Sequence, residues 1–221
     1  MGSLRKILIT AGPTREMLDP VRFLSNVSTG EMGYTMARVA KAAGYQVTLV
    51  SGPTHLKPPV GVRLIPILSA QEMKRACERF FPKQDALIMT AAVCDFTSTH
   101  PSAQKIRRTQ THELHLTQTP DILAGLAAKK KGQTVIGFCL ETQAWLDNAR
   151  RKLQRKKLDG IVANYYTRSH IPFGDRKITT AFLAREGELK LLTKKTKKQV
   201  AQALLKWLEG LHKIKFSKSQ K

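Results

Sequence analysis

The sequence predicts an α/β protein: a mainly parallel sheet with crossover helices, extended by a C-terminal antiparallel hairpin and a protruding arm. Three observations carry this. Short β-rich runs alternate with amphipathic helical stretches along most of the chain. One run, ALIMT at residues 86–90, is apolar on both faces, as a strand buried in a parallel sheet must be. Finally, Glu186-Gly187-Glu188 separates two β-rich runs closely enough for a hairpin turn.

Taken in order, residues 4–10 (LRKILIT) form a first strand, followed by a long loop containing Gly, Pro and Asp. A helix is expected from near Gly30 to about Ala43, burying Met32, Met36, Val39 and Ala40, with Gly44 as its stop. Residues 46–51 and 62–67 are the second and third strands, 70–81 a helix and 86–90 the fourth strand. The stretch 95–117 is polar and alternates only near its end (Glu113-Leu-His-Leu116), so it reads as a loop and extended arm. Thr119 is a candidate N-cap, with Pro120 in the first turn of the next helix. A fifth strand at 134–138, a helix at 141–157 and a sixth strand at 160–164 follow. Residues 179–184 and 189–192 flank the hairpin turn. The last helix, 196–211, places Val200, Leu204, Trp207 and Leu211 on one face. The division expected is one domain over 1–212, with a flap or dimerisation arm at about 96–118 and a flexible basic tail at 213–221.

With 221 residues, 42% of them hydrophobic, the chain can bury a sizeable core, which excludes a disordered protein. The three cysteines (Cys77, Cys94, Cys139) make no CxxC pair and no zinc-type cluster, so reduced thiols are expected. Neither an 18-residue apolar run nor a signal-peptide pattern is present, so a soluble cytoplasmic protein without membrane contact is expected. The formal net charge of +22 is distributed over helix ends and exposed stretches: 150–157, 129–131, 194–198 and the tail. Such charge attracts polyanionic substrates or gives incidental nucleic-acid affinity. With 6% aromatic residues there are few stacking platforms, and no specific nucleic-acid partner is expected.

In an open sheet of this kind ligands bind beyond the carboxyl ends of the strands. The loop after the first strand ends in Ser25-Asn-Val-Ser-Thr-Gly-Glu-Met-Gly33 and runs into a helix. Backbone N–H groups there, with the Ser28 and Thr29 hydroxyls, make either a phosphate cradle or an ordinary capped helix start. Ala91-Ala-Val-Cys-Asp95 puts two small residues and a carboxylate at a strand end. A flat base can lie against the small residues while Asp95 accepts hydrogen bonds, or Asp95 caps a turn. Lys105 could reach a triphosphate as a point charge, or sit on a solvated face. Cys94 and Cys139 lie at strand ends, but no histidine is placed as a base, so inert packing is the expectation. The chain has neither GxxxxGK[ST] nor GxGxxG, no acidic residue after the second strand, and no Tyr-x-x-x-Lys pair. These absences disfavour a nicotinamide-dependent reductase on the same fold, one alternative alongside a basic nucleic-acid-binding or non-catalytic protein.

Several motifs occur together and in order: Ile9-Thr-Ala-Gly-Pro-Thr-Arg-Glu16, Asp19-Pro-Val-Arg22 and the Ser25–Gly33 stretch just quoted. Thr48-Leu-Val-Ser-Gly-Pro53, Ala91-Ala-Val-Cys-Asp95, Lys105-Ile-Arg-Arg108 and Thr119-Pro-Asp-Ile-Leu123 follow. Gly137-Phe-Cys-Leu-Glu-Thr142 and Val162-Ala-Asn164 complete the series. Over roughly residues 4–210 the chain resembles the phosphopantothenoylcysteine synthetases of bacterial coenzyme A biosynthesis. The resemblance implies a Rossmann-like three-layer fold, a homodimer, and ligation of 4′-phosphopantothenate to L-cysteine through an acyl-cytidylate. It also implies CTP as the nucleotide, though some members use ATP, with Mg²⁺ bridging the phosphates. By matching positions it implies that Asn26 and Arg22 meet the pantothenoyl substrate and that Asn26 and Lys105 serve catalysis. Gly12, Ser28, Thr29, Gly30, Ala91, Ala92, Asp95 and Phe138 would line the nucleotide. The chain departs from the pattern at Glu31, usually lysine, at Cys139-Leu140, usually small, and at 173–177, a reduced form of a Ser-Asp-x-Asn stretch. Because the sequence opens at the synthetase, the flavin-dependent decarboxylase that commonly precedes it is expected on a separate protein or supplied otherwise.

Overall fold

A computed structural model describes residues 4–108, 113–167, 172–174 and 176–218. At its centre lies β1 (Lys6–Ala11), whose Ile7, Leu8, Ile9 and Ala11 are wholly buried. A strand buried on both faces must have its backbone groups satisfied from both edges. Accordingly β1 pairs in parallel with β4 (Gln46–Ser51) on one side and β6 (Ala86–Met89) on the other. Beyond β4 stands β5 (Arg63–Pro66); beyond β6 stand β9 (Thr134–Glu141) and β10 (Gly160–Tyr165), all parallel. The antiparallel pair β11 (Ile178–Ala184) and β12 (Leu189–Lys195) closes that edge, giving eight strands in the order β12-β11-β10-β9-β6-β1-β4-β5.

Alternation along β1 divides the core in two. Ile7 and Ile9 face α1 (Glu31–Ala42) and α5 (Lys197–Lys218). Leu8 faces the cluster built from α2 (Ala70–Phe80), α3 (Ile122–Ala128) and α4 (Trp145–Arg155). Each fully buried Leu, Ile or Phe contributes about 1.5–3 kcal/mol of transfer free energy. The result is the three-layer α/β architecture expected, with the hairpin at its edge.

Two small antiparallel ribbons stand off the sheet: β2 (Arg15–Met17) with β3 (Phe23–Ser25), and β7 (Phe96–Ser98) with β8 (Leu116–Gln118). The first lies in what the sequence presents only as a loop, and the second forms the base of the expected arm. They are tied together where the Ser102 N–H donates to the Leu18 carbonyl at 2.9 Å.

Four boundaries differ from expectation. The N-cap of α3 is Asp121, which accepts from the Ala124 N–H at 3.1 Å; the Thr119 hydroxyl instead donates to the Cys94 carbonyl at 2.6 Å. Strand β9 runs to Glu141 because β10 keeps pairing with it as far as Tyr165. For the same reason α4 starts at Trp145, after Ala144 turns the chain with a left-handed φ of 43°. Helix α5 continues to Lys218, so residues 213–218 extend the helix; Phe216 stacks near His212 and Lys215 pairs with Asp159 at 3.3 Å. Residues 219–221 lie outside the described part.

One close approach locks the loops above β1 and β4. Gly52 donates its N–H to the Ala11 carbonyl at 3.0 Å, and a Cβ there would stand 1.8 Å from the Pro13 carbonyl oxygen. Both sides of that contact are backbone, so neither can rotate away. Gly52→Ala is expected to lower the unfolding free energy by about 3 kcal/mol, read from the urea midpoint. An unchanged midpoint would show that the loops move apart freely.

Candidate active site

After β1 the chain builds one flank of the sheet (β4, β5) and then returns to build the other (β6, β9, β10). The reversal between β1 and β6 leaves a crevice past their carboxyl ends. A cavity of about 950 Å³ opens there.

Its first wall is the start of α1. Gly30 is the N-cap with φ 77°, a left-handed conformation that a side chain would strain, and it makes no side-chain cap of its own. The Ser28 and Thr29 hydroxyls accept from the N–H groups of Gly30 and Glu31 at 3.3 and 3.4 Å. The positive end of the helix dipole therefore lies at this wall, which suits an anion, while the first-turn Glu31 that also lines it is paired with Arg38 at 2.9 Å.

The second wall is the chain leaving β6. The Thr90 hydroxyl donates to the Thr10 carbonyl at 2.6 Å, and the Ala91 N–H donates to the Thr10 hydroxyl at 3.2 Å. The Ala92 N–H donates to the Gly12 carbonyl at 3.0 Å. Asn26 reaches across and donates from Nδ2 to the carbonyls of Ala92 and Val93, at 3.3 and 2.9 Å. Its amide oxygen is left without a partner among the described residues. Asp95 likewise presents a carboxylate with no partner among them.

The third wall comes from β9, α4 and β10. Pairing of β9 with β6 ends at Gly137, yet β9 continues to Glu141. One backbone edge of Phe138, Cys139 and Leu140 therefore faces the cavity instead of a strand. Lys152, Arg155 and Lys156 of α4 line the same side. Lys156 is paired with Asp121 at 3.0 Å and Lys152 with Glu141 at 2.6 Å. At the end of β10, Asn164 lines the cavity and its buried Oδ1 accepts no hydrogen bond from the described residues. The buried Lys197 also lines it, with its ammonium on the Gly174 carbonyl.

The structure thus gathers Asn26, Ser28, Thr29, Gly30, Ala91, Ala92, Asp95 and Phe138 around one space. Three expected site residues lie elsewhere. Gly12 sits beneath the floor, where a Cβ would meet the Gly52 carbonyl oxygen at 2.9 Å. Arg22 and Lys105 belong to the arms: the Arg22 guanidinium donates to the Ile106 carbonyl at 2.7 Å. Asp19, 2% exposed, joins the arms by accepting the N–H groups of Val21, Arg22 and Ile106 at 2.8, 2.8 and 3.2 Å. Burial pushes its carboxyl up, but those hydrogen bonds and the Arg22 charge outweigh it and hold the group below the usual carboxylate range. The cations of α4 were legible only as a basic run, because nothing in their spacing says which face of the helix meets the cavity.

The thiols are poor nucleophiles. Burial pushes Cys139 up to about 12, with Glu141 adding to the rise, and pushes Cys77 to about 12. Cys94 is buried and points its sulfur at the Phe96 carbonyl at 3.2 Å. Among the described residues no three His, Cys, Asp or Glu side chains converge on a metal site. No described helix is long and apolar enough to cross a membrane.

The profile of the family described as DNA/pantothenate metabolism flavoprotein C-terminal domain matches residues 3–211. The coenzyme A biosynthesis bifunctional protein CoaBC of Bacillus subtilis (strain 168) is 41% identical over 212 residues, covering 95% of this chain and 52% of that protein. The bifunctional protein of the same description from Borreliella burgdorferi is 37% identical over 208 residues, 92% of this chain and 52% of its own. The chain thus spans about half the length of these relatives. The crystal structure of the C-terminal domain of a CoaBC protein superposes with TM-score 0.80 at 39% identity, covering 94% of this chain and 95% of that domain.

Two outcomes follow from the geometry. At pH 8 Cys139 and Cys77 should resist iodoacetamide in the folded protein and react within minutes in urea, followed by mass spectrometry. Asp19 stabilises the fold at pH values above its unfolded pKa, and that contribution is lost as pH falls through its lower folded value. Asp19→Asn should therefore unfold at lower temperature at pH 7, and the gap from the unmodified protein should narrow below about pH 4.

Proposed function

The chain belongs to the DNA/pantothenate metabolism flavoprotein C-terminal domain family, and from that premise we propose that it ligates 4′-phosphopantothenate to L-cysteine at the expense of CTP. The observation that carries the reading is the cavity itself. It brings together a helix start whose N-cap has no side chain, three cationic side chains, an open strand edge and small residues around one space.

A nucleoside triphosphate fits those features. Its phosphates lie between the start of α1, lined by Ser28, Thr29 and Gly30, and the α4 cations; its base lies on Ala91 and Ala92 beside Phe138, reading the open edge of β9. In the first step a carboxylate oxygen of phosphopantothenate attacks the α-phosphorus. The bond to the pyrophosphate oxygen breaks, leaving an acyl-cytidylate. In the second, the cysteine amine attacks the acyl carbon, CMP leaves with the bonding electrons, and the amine loses a proton. Asn26, with Nδ2 anchored on two carbonyls and Oδ1 unengaged among the described residues, offers an acceptor that suits the amine of cysteine as it attacks the acyl carbon. The protein's part is positioning and charge compensation rather than covalent catalysis. Mg²⁺ carried by the phosphates would neutralise part of their charge, and the Asp95 carboxylate suits an ion held mainly by phosphate oxygens.

Arg22 and Lys105 enter this reading through the arms, which must come over a cavity mouth to deliver them. The same arms expose Val21, Phe23, Phe96, Leu114 and Leu116. Exposed apolar side chains of this kind on the arms suit a second copy of the chain. A flavin-dependent decarboxylase, on this polypeptide or another, would consume the product.

The test is pyrophosphate release with phosphopantothenate, cysteine and Mg²⁺, comparing CTP with ATP. Release that depends on phosphopantothenate and prefers CTP is expected, with the amide product seen by mass spectrometry. Preference for ATP would overturn the base assignment, and no release would overturn the ligase. Lys156→Met should raise the CTP KM about tenfold or more. Asn26→Asp should slow amide formation more than pyrophosphate release.

A further inference from the structure

Glu141 occupies a position that the reaction itself does not call for. As the last residue of β9 it is fixed by register against Tyr165, and its carbonyl accepts the Tyr166 N–H at 2.8 Å. Its side chain is 12% exposed and both carboxylate oxygens are engaged. Oε1 accepts from the Lys152 ammonium at 2.6 Å, and Oε2 from Asn148 Nδ2 at 3.0 Å. Asn148 and Lys152 are one helical turn apart, so a single carboxylate spans two turns of α4 from the strand end.

The cations on that wall need such an anchor. Lys152, Arg155 and Lys156 lie within two turns of one helix, and like charges at this spacing repel. A lysine side chain free to rotate would swing into water, where its charge is best solvated. Lys152 is 39% exposed, yet its ammonium is held by a carboxylate that is nearly buried. An ammonium has three donors. Glu141 takes one and fixes the direction of the other two, while Lys156 is restrained similarly by Asp121. Asp121 is also the α3 cap, so its removal would confound two effects; Glu141 has no such second duty as a cap.

We propose that Glu141 is a positioning residue: it presets the Lys152 ammonium toward the cavity so that the polyphosphate of the nucleotide meets an already oriented cation. This rests on the nucleotide reading of the cavity. Glu141 touches no reacting atom and acts through Lys152, lowering the cost of ordering that side chain when an anion binds.

The alternative is that Glu141 merely staples α4 to β9, and the experiment separates the two. CTP binding is measured by calorimetry and CTP KM and kcat by pyrophosphate release, for Glu141→Gln, Asn148→Ala, Lys152→Met and the Glu141→Gln/Lys152→Met pair. The expected result is a rise of about tenfold in the CTP Kd and KM for Glu141→Gln, with kcat within about twofold. Asn148→Ala, which weakens the staple and spares the ion pair, should leave the KM within about twofold. In the Lys152→Met background Glu141→Gln should add nothing. Should Glu141→Gln fail to fold, Glu141→Asp, which keeps the charge but withdraws it, should give an intermediate KM that also vanishes in the Lys152→Met background. An unchanged KM in folded Glu141→Gln, or an equal rise in Asn148→Ala, overturns the positioning role. If Lys152→Met itself binds CTP normally, the phosphate assignment of that wall falls and the positioning role falls with it.

Discussion

The double pairing of β1 is the constraint on which the rest depends. A strand with no exposed edge and no exposed face can be completed only by neighbours on both sides. The chain therefore has to leave β1, build one flank, and come back to build the other. That return path is what opens a crevice at the carboxyl ends. It also explains why the crevice floor is made of backbone: the Thr10 carbonyl and hydroxyl hold the chain leaving β6, and the Ala11 carbonyl holds the chain leaving β4. The space above is bounded by peptide groups that cannot shift without unpairing the central strand. A cavity with such a floor is preorganised, and binding there wastes little free energy on ordering the protein.

Carboxylates do much of the joining outside the sheet, although they are outnumbered by 38 basic residues to 16 acidic. Asp19 gathers amides from both arms, Asp85 accepts the N–H groups of Arg5 and Lys6 at the start of β1, and Asp159 accepts the Val135 N–H while facing Lys130 and Lys215. Each replaces water with several fixed donors, which is what makes a partly buried negative charge tolerable. The few acids are placed at chain crossings, whereas much of the basic excess sits on exposed helix faces. The net charge thus describes the surface more than the fold, and a surplus of cations near the cavity is one local expression of it.

Much of this was legible in the sequence where a single period or a single chemical signal decided the outcome. Strands such as 46–51 and the helix ended by Gly44 follow directly from β-rich runs and from a glycine with φ 91°. The Ser25–Gly33 stretch marks a helix start, which the sequence leaves open between a phosphate cradle and an ordinary cap, and the structure puts that start on the cavity wall. The failures have a common cause: the deciding partner is distant in sequence. β2 and β3 are three residues each, and the ribbon they form is tied to the arm by the Ser102–Leu18 hydrogen bond, a partner more than eighty residues away. Thr119 is a good cap by composition, but the Cys94 carbonyl competes for its hydroxyl. The end of β9 is set by β10, some two dozen residues later, and α4 is displaced in consequence. Arg22 and Lys105 carry motif signals without a position, since motifs do not say how far an arm stands from the wall.

The two sides of the cavity stabilise negative charge by different physics, and the difference has consequences. The α1 wall offers peptide N–H groups, which are rigid, carry partial charges and cost nothing to order. The α4 wall offers full charges on long side chains, which attract from farther away but lose rotamer freedom on binding. A polyanion held between them is steered by the lysines and finally seated by the amides. For that division to work, the lysines must not splay into solvent before the ligand arrives. The protein meets this by pairing each with one carboxylate anchored in the scaffold, Glu141 at the end of a strand and Asp121 at the head of a helix. Each pair leaves donors to spare, so the contacts that quiet the repulsion along α4 do not use up its capacity to meet an anion.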